Sequence, residues 1–401
     1  MSINLGKLFS EAAAKQKASP IREMMSSAKK PGMISFAGGM PDPDIFPLDL
    51  FAECSDIIRT DGKTILQYGT TDGYPPLKEF ISQWTAPRMG KTVKDEELLV
   101  TSGSIQVADL LNLSVVEKGD YIITESPTFL GTILDMYNHG ANLCGIPCDN
   151  EGMIVDQIPG EIEKIRSSGN EVKYIYTIPN FQNPVGCTLS LERRKKLLEI
   201  ARNYNLLILE DDPYAYIRFD GEDLPTLYSM DTEDSVIFAG SFSKVLAPGV
   251  RVGWCAGPQE ILRKMTVFKQ GVDTSTSILA QGLVYEYCRK GHLEKRLPSI
   301  IDHYRVKRDV MEKAFQQFLP TDSVNYTKPQ GGFFYWLETP EILTDDLFEK
   351  AVEKNILFVK GEPFFPNEGG KHEFRMCFSF PSVEMINEGV RNLGTAMKEL
   401  L

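Results

Sequence analysis

The chain has 401 residues, 42% of them hydrophobic and 24% charged, the balance of an ordinary globular protein that can bury about three quarters of its unfolded surface. Lys and Arg total 43 against 55 Asp and Glu, a net charge of −12. That excludes a protein that coats nucleic acid through a basic surplus and leaves room only for a local basic pocket.

The length predicts about two or three domains. No run approaches the ~20 apolar residues of a membrane span. Lys7, Glu11, Lys15 and Lys17 interrupt the region where a secretory leader would need an apolar stretch. The seven cysteines are odd in number and scattered, and only Cys144 and Cys148 lie close together. With no second pair or His cluster nearby, they read as reduced thiols of a cytoplasmic protein rather than a metal site.

In chain order, the Pro- and Gly-rich opening at 31–47 predicts an extended arm. Residues 97–101 predict a strand, Ser102-Gly103-Ser104 a turn, and 105–116 a helix. Strands follow at 120–124 and 173–178. Ser190 is placed to cap a helix with Leu197, Leu198, Ala201 and Tyr204 on one face. Further strands are expected at 206–209, 235–239 and 250–256. This alternation predicts an α/β domain with a mostly parallel sheet. After Pro258 come helices at 259–270, 276–289 and 294–318, short strands at 332–337 and 374–378, and a last helix from 383. They predict a smaller α+β domain, with the boundary near residue 290.

Several chemistries lack their motif. No G-x-x-x-x-G-K-[ST] exists, since Ile57 stands where the first Gly would precede Gly62-Lys63-Thr64. No G-x-G-x-x-G follows a strand, G-x-S-x-G is absent, and the four histidines never fall at metal-ligand spacing. Four expected strand ends do carry chemistry, at the edge where doubly wound sheets bind ligands. The turn 101–104 opens a helix whose N–H groups suit a phosphate. Loop 179–186, Pro-Asn-Phe-Gln-Asn-Pro-Val-Gly, is shaped by its prolines and glycine. Segment 209–214 ends a strand in Glu210-Asp211-Asp212, with Tyr214 close behind; one carboxylate there would suit a cationic ring nitrogen. Lys244 stands among small and hydroxyl residues in Gly240-Ser241-Phe242-Ser243-Lys244 with no acid within five residues. Such a lysine can become a Schiff-base nucleophile, and Arg251, seven residues on, offers a fork for a phosphate.

S-F-S-K followed by Arg251, with D-x-x-Y thirty-three residues upstream of Lys244 and N-P-V-G before it, resembles the class I/II aminotransferases of pyridoxal-phosphate fold type I. The opening I-R-E-M…P-G-M-I-S-F-A-G-G-M-P is similar to the subgroup of α-aminoadipate and kynurenine aminotransferases. The resemblance implies a large seven-stranded, mostly parallel cofactor-binding domain over 49–290, an arm over 1–48 and a small domain over 291–401. It implies that Lys244 carries pyridoxal 5'-phosphate covalently and moves the Cα proton, that Asp211 pairs with the ring nitrogen, and that Asn183 and Tyr214 hold the phenolic oxygen. Ser104, the Ile105 N–H, Ser241, Ser243 and Arg251 would hold the phosphate. Tyr68 would reach the cofactor of the other subunit in a homodimer. Arg375 would grip the substrate α-carboxylate, Gly39 would line the substrate side, and Arg22 would meet the distal end of an acidic substrate.

Two departures stand out. Phe129 replaces the usual Tyr; it can stack on the ring but lacks the hydroxyl. Ile105 replaces a frequent Gln, which a backbone donor tolerates. The resemblance implies transfer of an amino group from an L-amino acid (2-aminoadipate, glutamate, aromatic or branched-chain) to a 2-oxo acid such as 2-oxoglutarate. Two other readings stay open: a carbon–sulfur β-lyase on the same scaffold, and the ligand-sensing domain of a regulator. Against the second, the stretch before Phe36 is too short for a DNA-binding domain of ~70 residues and has no basic block. Neither nucleic acid nor membrane is expected as a partner.

Overall fold

The computed structural model describes residues 3–9, 13–14 and 32–401. Its centre is an eight-stranded sheet of β2 (Leu98–Thr101), β3 (Tyr121–Ser126), β4 (Asn142–Asp149), β5 (Gly152–Met153), β6 (Val172–Thr177), β7 (Leu207–Asp211), β8 (Val236–Ser241) and β9 (Gly253–Ala256), in the order β2-β9-β8-β7-β6-β3-β4-β5. The β3/β4, β3/β6, β6/β7 and β7/β8 pairs are parallel, whereas β9 is antiparallel to both of its neighbours. Strands β2 and β8 are buried along their whole length, as in a sheet covered on both faces.

The expected seven strands become eight because β5 turns back antiparallel onto β4, pairing Asp149 with Gly152. Strand β4 is missing from the expected series because Gly145, Pro147 and Asp149 break its apolar run, leaving it only partly buried. The expected strand at 250–256 starts at Gly253. Pro248–Val250 is a 3-10 turn, and Arg251 sits in the left-handed region at φ 51°.

The helices expected from the apolar period are present, and others, at Pro75–Met89, Leu130–Asn138, Ile158–Ser167 and Thr344–Glu353, are additional to those expected. Leu191–Tyr204 begins at Ser190, whose side chain accepts from the Arg193 N–H, and it buries Leu197 and Ala201. Gln259–Val272, Ile278–Arg289, His292–Phe318 and Val383–Lys398 follow the expected order. The second sheet is antiparallel, in the order β10 (Asn325–Tyr326), β11 (Phe334–Glu338), β14 (Glu373–Cys377), β13 (Val359–Lys360). Of the arm, the described stretch 32–47 is mostly extended, with β1 (Ile34–Ser35) pairing in parallel with β12 (Ile356–Leu357) and a 3-10 turn at Pro43–Ile45. All seven cysteines are free. Among the described residues no helix is long and apolar enough to cross a membrane.

Candidate active site

Because β2, β3, β6, β7 and β8 run the same way, their C-terminal ends share one edge. The turn to Ser104, the turn to Phe129, the loop to Asn183, Asp211 and the turn to Lys244 all leave from that edge. They meet a cavity of about 310 Å3. Lys244, Asp211, Tyr214, Ser104, Ile105, Phe129, Asn183, Ser241, Ser243, Arg251, Gly39 and Arg375 all line it. Tyr68 is not in this lining; it is 84% exposed. Arg22 lies outside the described residues.

Lys244 is half-buried and its Nζ donates to the Gly39 carbonyl at 2.8 Å. Burial, with Arg375 and Arg251 adding positive charge, lowers its pKa to about 8 even though the Cys377 thiol opposes them. The acceptor is fixed by the arm. Phe36 exchanges backbone hydrogen bonds with Leu357 and Cys377, and Asp42 binds the Tyr304 hydroxyl, His303 and Lys307. A Cβ on Gly39 would stand 3.0 Å from the Phe334 ring, so a larger residue here would have to push that ring aside.

Strand alternation separates the three adjacent acids at the end of β7. Glu210 accepts from the Leu227 and Tyr228 N–H groups, both at 2.9 Å. Asp212 binds Arg88 at 3.2 Å and Asn180 at 2.9 Å. Asp211 alone faces the cavity. The Tyr176 hydroxyl donates to its Oδ2 at 2.9 Å, while its Oδ1 is buried with no hydrogen-bond partner among the described residues. Burial pushes its pKa up to about 6, opposed by the Tyr176 and Ser104 hydroxyls. A buried carboxylate oxygen left open toward a cavity fits a cationic ring N–H.

On the other side of the cavity, β14 carries Arg375 inward. The side chain is 1% exposed, and among the described residues its hydrogen bonds go to neutral groups and not to an acid. It donates to Asn183 Oδ1 at 2.8 Å and to the Ala37 carbonyl at 2.6 Å, and its buried Nε has no partner. Its guanidinium lies 4.3 Å from the Phe334 ring centre and 5.0 Å from that of Phe364. Burial lowers its pKa. A desolvated guanidinium with a free N–H is matched to a carboxylate.

Another part of the cavity wall is a hydroxyl cup. Ser241 donates to Ser243 Oγ at 2.9 Å, and the helix Ile105–Val115 begins beside them at Ser104. Arg251 donates to the Ser102 carbonyl at 2.8 Å. Gly103, at φ 87°, leaves room for it, since a Cβ there would fall 2.4 Å from Arg251 Nη2. These groups fit pyridoxal phosphate at three points: an anion cup, an open carboxylate oxygen, and an amine with no acid partner among its hydrogen bonds.

Met40, Ile178, Pro213 and Phe334 also line the cavity. In sequence they look like ordinary apolar residues and carry no signal of their own. A larger cavity of about 720 Å3 lies between the end of β4 and β10 and β11, but its lining among the described residues has no Lys, Arg or His to receive an anionic substrate.

Residues 46–393 match the family model described as aminotransferase class I and II. The chain is 39% identical to aromatic-amino-acid aminotransferase 1 of Thermococcus litoralis, over 99% of this chain and 96% of that protein. It is 37% identical to the 2-aminoadipate transaminase of Thermus thermophilus, over 100% and 98%. Among solved structures, the Pyrococcus horikoshii kynurenine aminotransferase in complex with PMP superposes with a TM-score of 0.95 at 36% identity, covering 99% of this chain and 98% of that one.

Proposed function

Since the chain belongs to the class I and II aminotransferases, we propose that this cavity moves the amino group of an L-amino acid to a 2-oxo acid such as 2-oxoglutarate in two half-reactions. The cofactor is pyridoxal phosphate, which supplies an electron-withdrawing ring once bound. Ser104, the Ile105 N–H, Ser241, Ser243 and Arg251 hold its phosphate. Asp211 presents its open Oδ1 to the ring nitrogen, and Phe129 stacks on the ring. Asn183 gives its oxygen to Arg375 and keeps its amide N–H groups for the phenolic oxygen, which Tyr214 also faces. Arg375 binds the α-carboxylate and so fixes the Cα. Lys244 would hold the cofactor covalently until the substrate amino group displaces it, and the freed Lys244 amine would then take the Cα proton and return it.

One observation carries the reading. A desolvated lysine without an acid partner shares one small cavity with Asp211 and with the unpaired cation of Arg375. The test is borohydride reduction of the holoenzyme. Trapping on the peptide that contains Lys244 is expected; trapping elsewhere, or no visible absorbance band, would overturn the reading.

The apolar lining by Met40, Ile105 and Phe334 supports aromatic and branched donors. Acidic donors such as 2-aminoadipate and glutamate rest on Arg22. Arg22→Ala should lower kcat/KM for acidic donors about 10–100-fold and leave phenylalanine nearly unchanged; equal losses would remove Arg22 from the specificity site. A division into the arm 1–48, a large domain 49–290 and a small domain 291–401 is supported by the separate sheets of strands 98–256 and 325–377. A homodimer is supported by exposed Leu66 and Tyr68, 64% and 84% accessible, on a segment that has no role in the chain's own cavity.

A further inference from the structure

Glu125 is the penultimate residue of β3 and is 2% exposed. A carboxylate is costly at such a position unless its oxygens are satisfied, and here every hydrogen-bond partner is neutral. Oε1 accepts from the Thr177 hydroxyl at 2.6 Å and the Ile178 N–H at 3.0 Å. Oε2 accepts from the Gln182 amide at 2.9 Å and the Thr128 hydroxyl at 3.4 Å. Burial pushes the carboxyl pKa up to about 7, with the Thr177 hydroxyl the largest opposing influence.

The partners belong to the two loops that flank the cavity. Thr128 precedes Phe129. Thr177 ends β6, Ile178 begins the loop that carries Asn183, and Gln182 is the neighbour of Asn183. Gln182 is fully engaged, because its amide nitrogen also donates to the Pro127 carbonyl at 2.8 Å and its oxygen accepts from the Val185 N–H at 2.9 Å. One buried carboxylate therefore ties the Phe129 turn to the Asn183 loop, and Asn183 in turn receives Arg375.

We infer that Glu125 is a positioning residue of the transamination site: acting through Gln182 and Thr128, its carboxylate sets Asn183 and Phe129 on either side of the cofactor ring. The inference rests on the aminotransferase reading. It follows that loss of the brace displaces the donor to the phenolic oxygen. A hydrogen bond there favours the ionised phenol, so the pH midpoint of the visible cofactor band moves up when that bond weakens.

The test compares wild type, Glu125→Gln and Gln182→Leu as holoenzymes. Both variants should raise the band midpoint by half a pH unit or more. Both should also lower kcat at least tenfold, with KM for the amino donor rising because Asn183 also meets Arg375. Apoenzyme melting temperatures separate this from a general loss of fold. If Glu125→Gln does not fold, Gln182→Leu, which removes the bridge and keeps the carboxylate, decides the matter. An unmoved midpoint with kcat within threefold of wild type, in whichever variant folds, overturns the positioning role even if stability falls. If the wild type itself shows no cofactor band, the aminotransferase reading fails and the positioning role falls with it.

Discussion

The guanidinium of Arg375 donates to the side-chain oxygen of Asn183 at 2.8 Å across 192 residues of sequence, joining the antiparallel sheet to the loop after β6. Its second nitrogen holds the arm through the Ala37 carbonyl, and neither bond neutralises the charge. On the proposed reading, the anion that pairs with it is the substrate α-carboxylate. Arg375→Ala should raise KM for every amino donor about 10–100-fold, a loss of about 1.4–2.7 kcal/mol, while the cofactor band persists. Initial rates across a donor panel check this. A KM within threefold of wild type for all donors would show that Arg375 serves only the fold.

The hydroxyl of Tyr176 donates to Asp211 Oδ2 at 2.9 Å, and on the proposed reading Oδ1 is left for the ring nitrogen. Tyr176→Phe removes a donor from a buried carboxylate, a change worth about 1–3 kcal/mol. Cofactor affinity should fall about tenfold. Asp211→Asn, which keeps the shape and removes the charge, should weaken it more. Titrating apoenzyme with pyridoxal phosphate gives both constants. The reverse order would mean that Asp211 does not face the ring.

Chain-local chemistry was legible in the sequence. Lys244 stands among hydroxyls with Arg251 close behind, and Asp211 and Tyr214 sit three positions apart at the end of an apolar run. Among the three adjacent acids, residue composition alone could not choose; the resemblance did, and the pleat of β7 shows why Asp211 alone turns inward. The residues that went unread work through distance. Tyr176 in KYIYTI looks like ordinary strand composition, and Phe334 and Met40 look like core. Glu125 looks like a turn acid until β3 is seen to bury it. Its signal was a Thr-Glu-Ser ending on an apolar strand. Strand β4 was lost for the opposite reason, because Gly145 and Pro147 interrupt the pattern that marks strands.

Lys244 yields a pH prediction. Its pKa, lowered to about 8, leaves roughly one amine in ten neutral at pH 7, against about one in three thousand for an ordinary lysine. The neutral amine is the nucleophile, so uptake of pyridoxal phosphate by apoenzyme should quicken as pH rises and level off above about 8. Stopped-flow absorbance from pH 6 to 10 reads the midpoint. A rate still climbing at pH 10 would mean that the pocket does not depress this lysine. In stability terms the sign runs the same way. The folded state disfavours the ammonium, so the apoenzyme gains stability from this group as pH rises from about 8 toward the unfolded value near 10.4.

Tyr68 gives the test of assembly. It is 84% exposed and stands apart from the chain's own cavity, so its part in catalysis requires a second copy. Tyr68→Ala and Lys244→Ala should each be nearly inactive alone. In a mixed dimer, one site combines an intact Lys244 with an intact Tyr68 of the partner subunit, and the other site lacks both. If subunits exchange freely in an equal mixture, half the dimers are mixed, so about a quarter of wild-type activity should return. Recovery should follow the rate of subunit exchange and vanish if the two variants are mixed under conditions that block exchange. No recovery, with exchange shown by mass-labelled subunits, would confine each site to a single chain and leave Tyr68 as an ordinary surface residue.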